Sequence, residues 1–213
     1  MAKCVADEKK YVRRILRDAR LALDGDWVAG LSATIQARLI ASDCYRDCAR
    51  VVLYSSNENE VRTSLICADA LVSGRVVYFP RIAAEHRDLS LVRVRDPADF
   101  RPGAFGILEP AGAEIAAPEQ LGRALICVPG VAFSMRGQRL GRGGGYYDRL
   151  IARAAPQVVT AGLAYSFQVL DRLPESPHDR RLDLIATESA IFAAGRTPRP
   201  VAPWPDQGGI PRC

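Results

Sequence analysis

The run VPGVAFSMRGQRLGRGGGYYDR, residues 128–149, concentrates residue types that handle anions. Gly141, Gly143, Gly144 and Gly145 fall within five residues. Glycine reaches positive φ without a Cβ penalty and lets backbone N–H groups approach a ligand closely. Successive N–H groups in such a turn form a nest for an anion, and a helix starting behind it adds the positive end of its dipole. Arg139 and Arg142 interleave with the glycines, and a guanidinium fork matches two phosphate oxygens at once. The run therefore has the chemistry of a polyphosphate cradle. A tight turn without a ligand is the plain alternative, and glycines alone do not separate the two. No Gly-Lys-Ser/Thr occurs, so this is not a Walker A loop. The third glycine of the dinucleotide fingerprint is also missing, because Tyr146 holds its place. Asp148 follows Tyr147. A carboxylate there could share Mg²⁺ with phosphate oxygens, or simply sit in the first turn of a helix and favour its dipole. Both readings stand on residue type alone.

The elements that must position this loop follow from hydrophobic periodicity. Val12, Ile15, Leu16, Ala19 and Leu23 recur at helical spacing, which predicts an amphipathic helix over residues 5–23. Lys9, Arg13, Arg17 and Arg20 make a basic stripe on another side. That stripe is either a solvated face or a row of cations presented to phosphates. A second helix is expected over 27–40 and a third over 63–72, stopped by Gly74. Short apolar, β-branched runs predict strands at 51–54, 76–79 (cut by Pro80), 125–128, 158–165 and 184–187, with a half-exposed strand at 89–94. A helix is expected near 147–154. Strands alternating with helices predict a single three-layer α/β/α domain with a mainly parallel sheet. Ligands in such sheets bind beyond the carboxyl ends of the strands. The loops 55–60, 80–81 and 129–145 all follow strands and should gather at one edge.

Composition sets the outer limits. With 213 residues, 48% hydrophobic and 25% charged, the chain suits one packed domain and excludes wholesale disorder or a fibrous architecture. The net charge of +5 suits a small polyanion without requiring nucleic acid. No apolar run of about 18 residues suggests a membrane span, and no signal-peptide core follows the charged N-terminus, so a cytoplasmic protein is expected. The six cysteines are scattered without CxxC spacing, which predicts free thiols rather than disulfides or a zinc site. Residues 196–213 hold five prolines and Gly208-Gly209, and read as an irregular tail appended to a domain at 1–195.

The segment RLGRGGGYYD, residues 139–148, resembles the signature of the 5-formyltetrahydrofolate cyclo-ligase family, also called methenyltetrahydrofolate synthetase. Other segments agree in order. Lys9-x-x-Val12-Arg13 resembles the family's N-terminal Lys-x-x-Leu-Arg, and Glu60-Val61-x-Thr63 is similar to its substrate loop. Pro80-Arg81, Gly106-Ile107-Leu108-Glu109-Pro110, Gly162-Leu163-Ala164-Tyr165 with Gln168, Leu173-Pro174, His178-Asp179 and Thr187-Glu188 continue the match to about Phe192. Val12 replaces the usual Leu, and Ser134 stands where the family commonly has Asp.

The resemblance implies an ATP- and Mg²⁺-dependent ligase that closes 5-formyltetrahydrofolate to 5,10-methenyltetrahydrofolate and releases ADP and phosphate. It implies that Lys9, Arg13, Arg139, Leu140, Gly141, Arg142, Gly143, Gly144, Gly145, Tyr146 and Tyr147 hold ATP, with Arg142 as the catalytic cation. It implies that Ser55, Glu60 and Tyr147 contact the folate and that Asp148 and Asp179 hold Mg²⁺. His178 reads as a turn residue. The expected partners are the two substrates alone, with no nucleic acid, no membrane and a monomeric chain. A non-catalytic folate- or nucleotide-binding relative is the alternative, left open by Ser134.

Overall fold

The computed structural model describes residues 2–83, 88–103 and 106–194. The tail expected at 196–213 lies outside the described residues. The chain opens with helices α1 (Ala2–Leu21), α2 (Gly25–Ile40) and α3 (Asp43–Arg46), then strand β1 (Arg50–Val52), helix α4 (Ser64–Val72) and strands β2 (Val76–Ala83) and β3 (Asp88–Val94). Short strands β4 (Phe100–Pro102), β5 (Leu108–Pro110) and β6 (Ile115–Ala116) precede β7 (Ala124–Val128), β8 (Ala132–Ser134) and β9 (Arg139–Leu140). Helix α5 (Tyr146–Arg153) leads to β10 (Val159–Leu163), β11 (Val169–Leu170), β12 (Leu184–Ala186) and β13 (Ile191–Ala193).

Eight strands form the main sheet in the order β13-β12-β10-β7-β1-β2-β3-β6. The five from β12 to β2 run parallel, while β13, β3 and β6 pair antiparallel at the flanks. The sheet is therefore mixed, not mainly parallel as the sequence suggested. The links 84–87 and 187–190 are too short for the crossover of a dozen or more residues that a parallel return needs. Strand β2 also runs through Pro80, where the sequence reading had cut it. Strand β1 last pairs at Val52 with Tyr78, so the proline faces no ladder on that side, while Pro80 itself opposes Leu91 of β3.

Alternation along the strands buries both faces. Val51, Val77, Leu125 and Ala161 pack with Ile35 and Leu39 of α2 and Ile66 and Ala70 of α4. Val52, Tyr78, Ile126 and Val128 pack with Leu150 of α5. Asp24 starts α2 by accepting from the N–H groups of Asp26 and Trp27. Cys44, Cys48, Cys67 and Cys127 are free thiols, the last three buried.

A second, three-stranded sheet in the order β11-β8-β9 takes β8 and β9 from residues 129–145, which the sequence predicts to be one long loop, and β11 from residues 169–170. Leu16 of α1 packs on it against Val131, Ala132, Leu140 and Leu173. Ser134 closes the β8–β9 hairpin: its hydroxyl donates to Gln138 Oε1 at 3.0 Å and accepts from the N–H groups of Arg136 and Gln138. This small sheet holds α1 beside the glycine-rich loop.

Candidate active site

The segments picked out by residue chemistry meet in one cavity of about 570 Å³. Lys9, Arg13, Ser55, Glu60, the whole run 139–147, Asp148 and Asp179 all line it. The loops after β1 and β7 contribute Ser55 and Pro129, and Pro80 joins them from within β2, so 80–81 lines the cavity as part of a strand and not as the loop expected.

One half of the cavity is cationic. The loop turns through Gly143 at φ 101° and Gly145 at φ 68°, a backbone that side chains rarely adopt, and Gly145 opens α5. The first N–H groups of α5 thus have no partner within the helix and sit at the loop. Arg13 donates from Nε to the Gly141 carbonyl at 2.8 Å. Lys9, one turn earlier, is buried and bonds Asp179 Oδ2 at 2.5 Å and Ser176 Oγ at 2.8 Å. The basic stripe of α1 is therefore not simply a solvated face. Arg139 pairs with Asp148 at 2.9 Å and lies over the Tyr147 ring. Burial pushes the Tyr147 phenol well above its usual range, and Glu60 adds to that, so the ring offers a neutral hydroxyl.

The other half is walled by Ile82, Leu89, Ile107 and Leu108, with Glu60 and Glu109 as its carboxylates. Glu60 is buried, takes the N–H of Asn57 at 3.1 Å on Oε2, and pairs through Oε1 with Arg142 at 3.2 Å. Its loop contains two successive non-glycine residues at positive φ, Glu58 at 51° and Asn59 at 57°. That strain persists because Asn59 Nδ2 donates to the carbonyls of Arg20 at 3.2 Å and Leu23 at 2.9 Å, at the end of α1. Arg142 lies between the halves; its side chain is 41% exposed and also reaches Glu58 at 3.4 Å.

Sequence reasoning missed the apolar wall, Tyr54 and Glu109 as lining residues. Gly-Ile-Leu-Glu-Pro carries no chemistry by residue type alone; in the fold Glu109 takes the N–H of Ile82 at 3.2 Å. Ile82 and Leu89 carry no local signal, since only the β2–β3 pairing puts them opposite one another. Ser134 is buried in its hairpin and is not among the lining residues. His178 is exposed in a turn beside Asp179. Among the described residues no three His, Cys, Asp or Glu side chains form a metal cage. Asp148 and Asp179 offer two hard oxygen donors on the cavity wall, which suits an ion that takes one or two carboxylates and completes its shell with phosphate oxygens and water.

Residues 5–188 match the sequence profile of the 5-formyltetrahydrofolate cyclo-ligase family. The 5-formyltetrahydrofolate cyclo-ligase of Mus musculus is 26% identical over 87% of this chain and 96% of its own length. The protein named probable 5-formyltetrahydrofolate cyclo-ligase from Caenorhabditis elegans is 31% identical over 86% of this chain and 94% of its own. The NMR structure of Aquifex aeolicus 5,10-methenyltetrahydrofolate synthetase superposes with a TM-score of 0.77 at 33% identity, covering 91% of this chain and 96% of that one.

Proposed function

Because the chain belongs to the 5-formyltetrahydrofolate cyclo-ligase family, we propose that it closes 5-formyltetrahydrofolate to 5,10-methenyltetrahydrofolate, using MgATP and releasing ADP and phosphate. The observation that carries this reading is the two-sided cavity. A glycine loop with Lys9, Arg13 and Arg139 suits a triphosphate, and the facing half suits a flat heterocycle, with Glu60 to accept its ring N–H groups. Arg142 bridges the two, where a phosphoryl group would pass from one substrate to the other.

A formamide is a poor electrophile with a poor leaving group. Transfer of the γ-phosphoryl to the formyl oxygen breaks the bond to ADP and turns that oxygen into a phosphate ester. N10 of the same folate then attacks the formyl carbon, phosphate departs, and N10 loses its proton. Alignment and charge neutralisation account for most of the rate in such transfers. No side-chain nucleophile is required. The loop N–H groups, Lys9 and Arg13 hold the phosphates. Arg142 faces the charge that develops on the moving group. Glu60 and Ser55 orient the folate, with Tyr146 and Tyr147 packing on the rings. Asp148 and Asp179 would hold Mg²⁺, which screens phosphate charge. Both carboxylates are ion-paired here, Asp148 with Arg139 and Asp179 with Lys9, so holding a metal would leave both cations free for phosphate.

We also assign catalysis to residues 1–195, with α2 and α4 on one face of the sheet and α5 on the other as its outer layers. We propose a monomer as the working unit. Ser134, buried away from the cavity, does not favour a non-catalytic relative. The test is absorbance-monitored formation of 5,10-methenyltetrahydrofolate by the full chain. Turnover is expected only with ATP and Mg²⁺ together. Absence of product with all components present overturns the reading.

A further inference from the structure

Arg20, at the end of α1, belongs to neither half of the cavity, yet its side chain is only 1% exposed. Burying a guanidinium is unfavourable unless its donors are satisfied. Two are. Nε donates to the Glu58 carbonyl at 2.9 Å, and Nη1 donates to the Gly130 carbonyl at 3.0 Å. One side chain thereby ties the strained loop before Glu60 to the segment that leaves β7. Nη2 is buried with no hydrogen-bond partner. It lies 3.7 Å from Glu58 Oε2 and 3.7 Å from Glu60 Oε1. The same Glu60 oxygen is held from the open side by Arg142 at 3.2 Å. Glu60 thus sits between an exposed cation that can turn away and a buried one that cannot.

We propose that Arg20 is a positioning residue for Glu60: it compensates and aims that carboxylate while Arg142 leaves it for the transferring phosphoryl group. The inference rests on the reading of Glu60 as the folate-side acceptor. An arginine with only a scaffolding task would spend its donors on backbone carbonyls. This one keeps a buried Nη2 off the backbone, 3.7 Å from the Glu60 oxygen that Arg142 also holds. Without it, Arg142 would remain the compensating cation for Glu60 and could not serve both tasks.

The test is a double-substitution cycle in the full chain, with Arg20→Met and Glu60→Gln singly and together. It is read by calorimetric affinity for 5-formyltetrahydrofolate, by affinity for a non-hydrolysable ATP analogue, and by melting temperature. Arg20→Met should weaken the folate ten-fold or more, leave the nucleotide within about two-fold, and add little once Glu60 is Gln. Equal losses for both ligands, or the same folate loss with Glu60 present or absent, overturn the proposal. Should Arg20→Met not fold, Arg20→Lys keeps the charge and gives up the fork. It must then lose folate affinity preferentially, and equal loss of nucleotide affinity overturns the proposal. If the unsubstituted chain binds no folate, the reading of Glu60 fails instead. The cycle in melting temperature still shows whether Arg20 acts through Glu60, and additivity there overturns that link.

Discussion

Arg142 and Asp148 test the chemistry most directly, because each touches the cavity without holding the core. Arg142 is 41% exposed and bonds only loop carboxylates. Arg142→Ala should lower kcat by about 10²–10³, the usual loss on removing one stabiliser of developing charge, with the melting temperature nearly unchanged. Steady-state kinetics beside thermal melting checks both halves of that statement. Asp148 accepts from Arg139 and from the Arg180 N–H. Asp148→Asn should raise the Mg²⁺ concentration needed for half-maximal turnover, and a magnesium titration overlaying that of the parent chain would remove it from the metal site. Both residues stand out in the sequence, one by its place among glycines and the other by following them. The pairing of Arg142 with Glu60 does not, since the two lie 82 positions apart.

Two small elements shape the cavity, and each makes a prediction. The β8–β9 hairpin turns at Gly137, where φ is 79° and an added Cβ would sit 2.3 Å from the Leu182 carbonyl. Gly137→Ala should therefore cost about 2 kcal/mol or more, from strain and overpacking together, measurable by urea unfolding. The Glu58–Asn59 turn clasps α1 through Arg17, which bonds both Glu58 oxygens. That bond holds the Glu58 carboxyl below its ordinary 4.5, against a smaller upward push from burial. A carboxyl depressed on folding adds stability above its unfolded value, and the addition is lost as pH falls through the lower folded value. Stability should thus decline below about pH 4.5, and Glu58→Gln should flatten that decline in a series of melts against pH. The hairpin was hidden from sequence reading because strands of two or three residues carry no measurable periodicity.

Over the whole molecule, a ligand that fills a cavity built from α1, strand β2, the loops after β1 and β7, and α5 must stabilise the folded chain by mass action. At a hundred-fold excess over Kd, that amounts to about 2.7 kcal/mol. MgATP should therefore raise the melting temperature by several degrees, chelation of the metal should shrink the shift, and a flat response would mean that the cavity takes no nucleotide. Local information was enough for the alternation of helices and strands, the parallel centre of the sheet and the glycine loop with its arginines, because periodicity and backbone freedom are properties of consecutive residues. Tertiary structure alone decided the antiparallel flanks, the apolar wall of Ile82, Leu89 and Ile107, the burial of Arg20, and the pairing of Lys9 with Asp179 across 170 positions. Those features depend on distances through space, and many registers of the same segments would satisfy the same local pattern; only the packed sheet chooses among them.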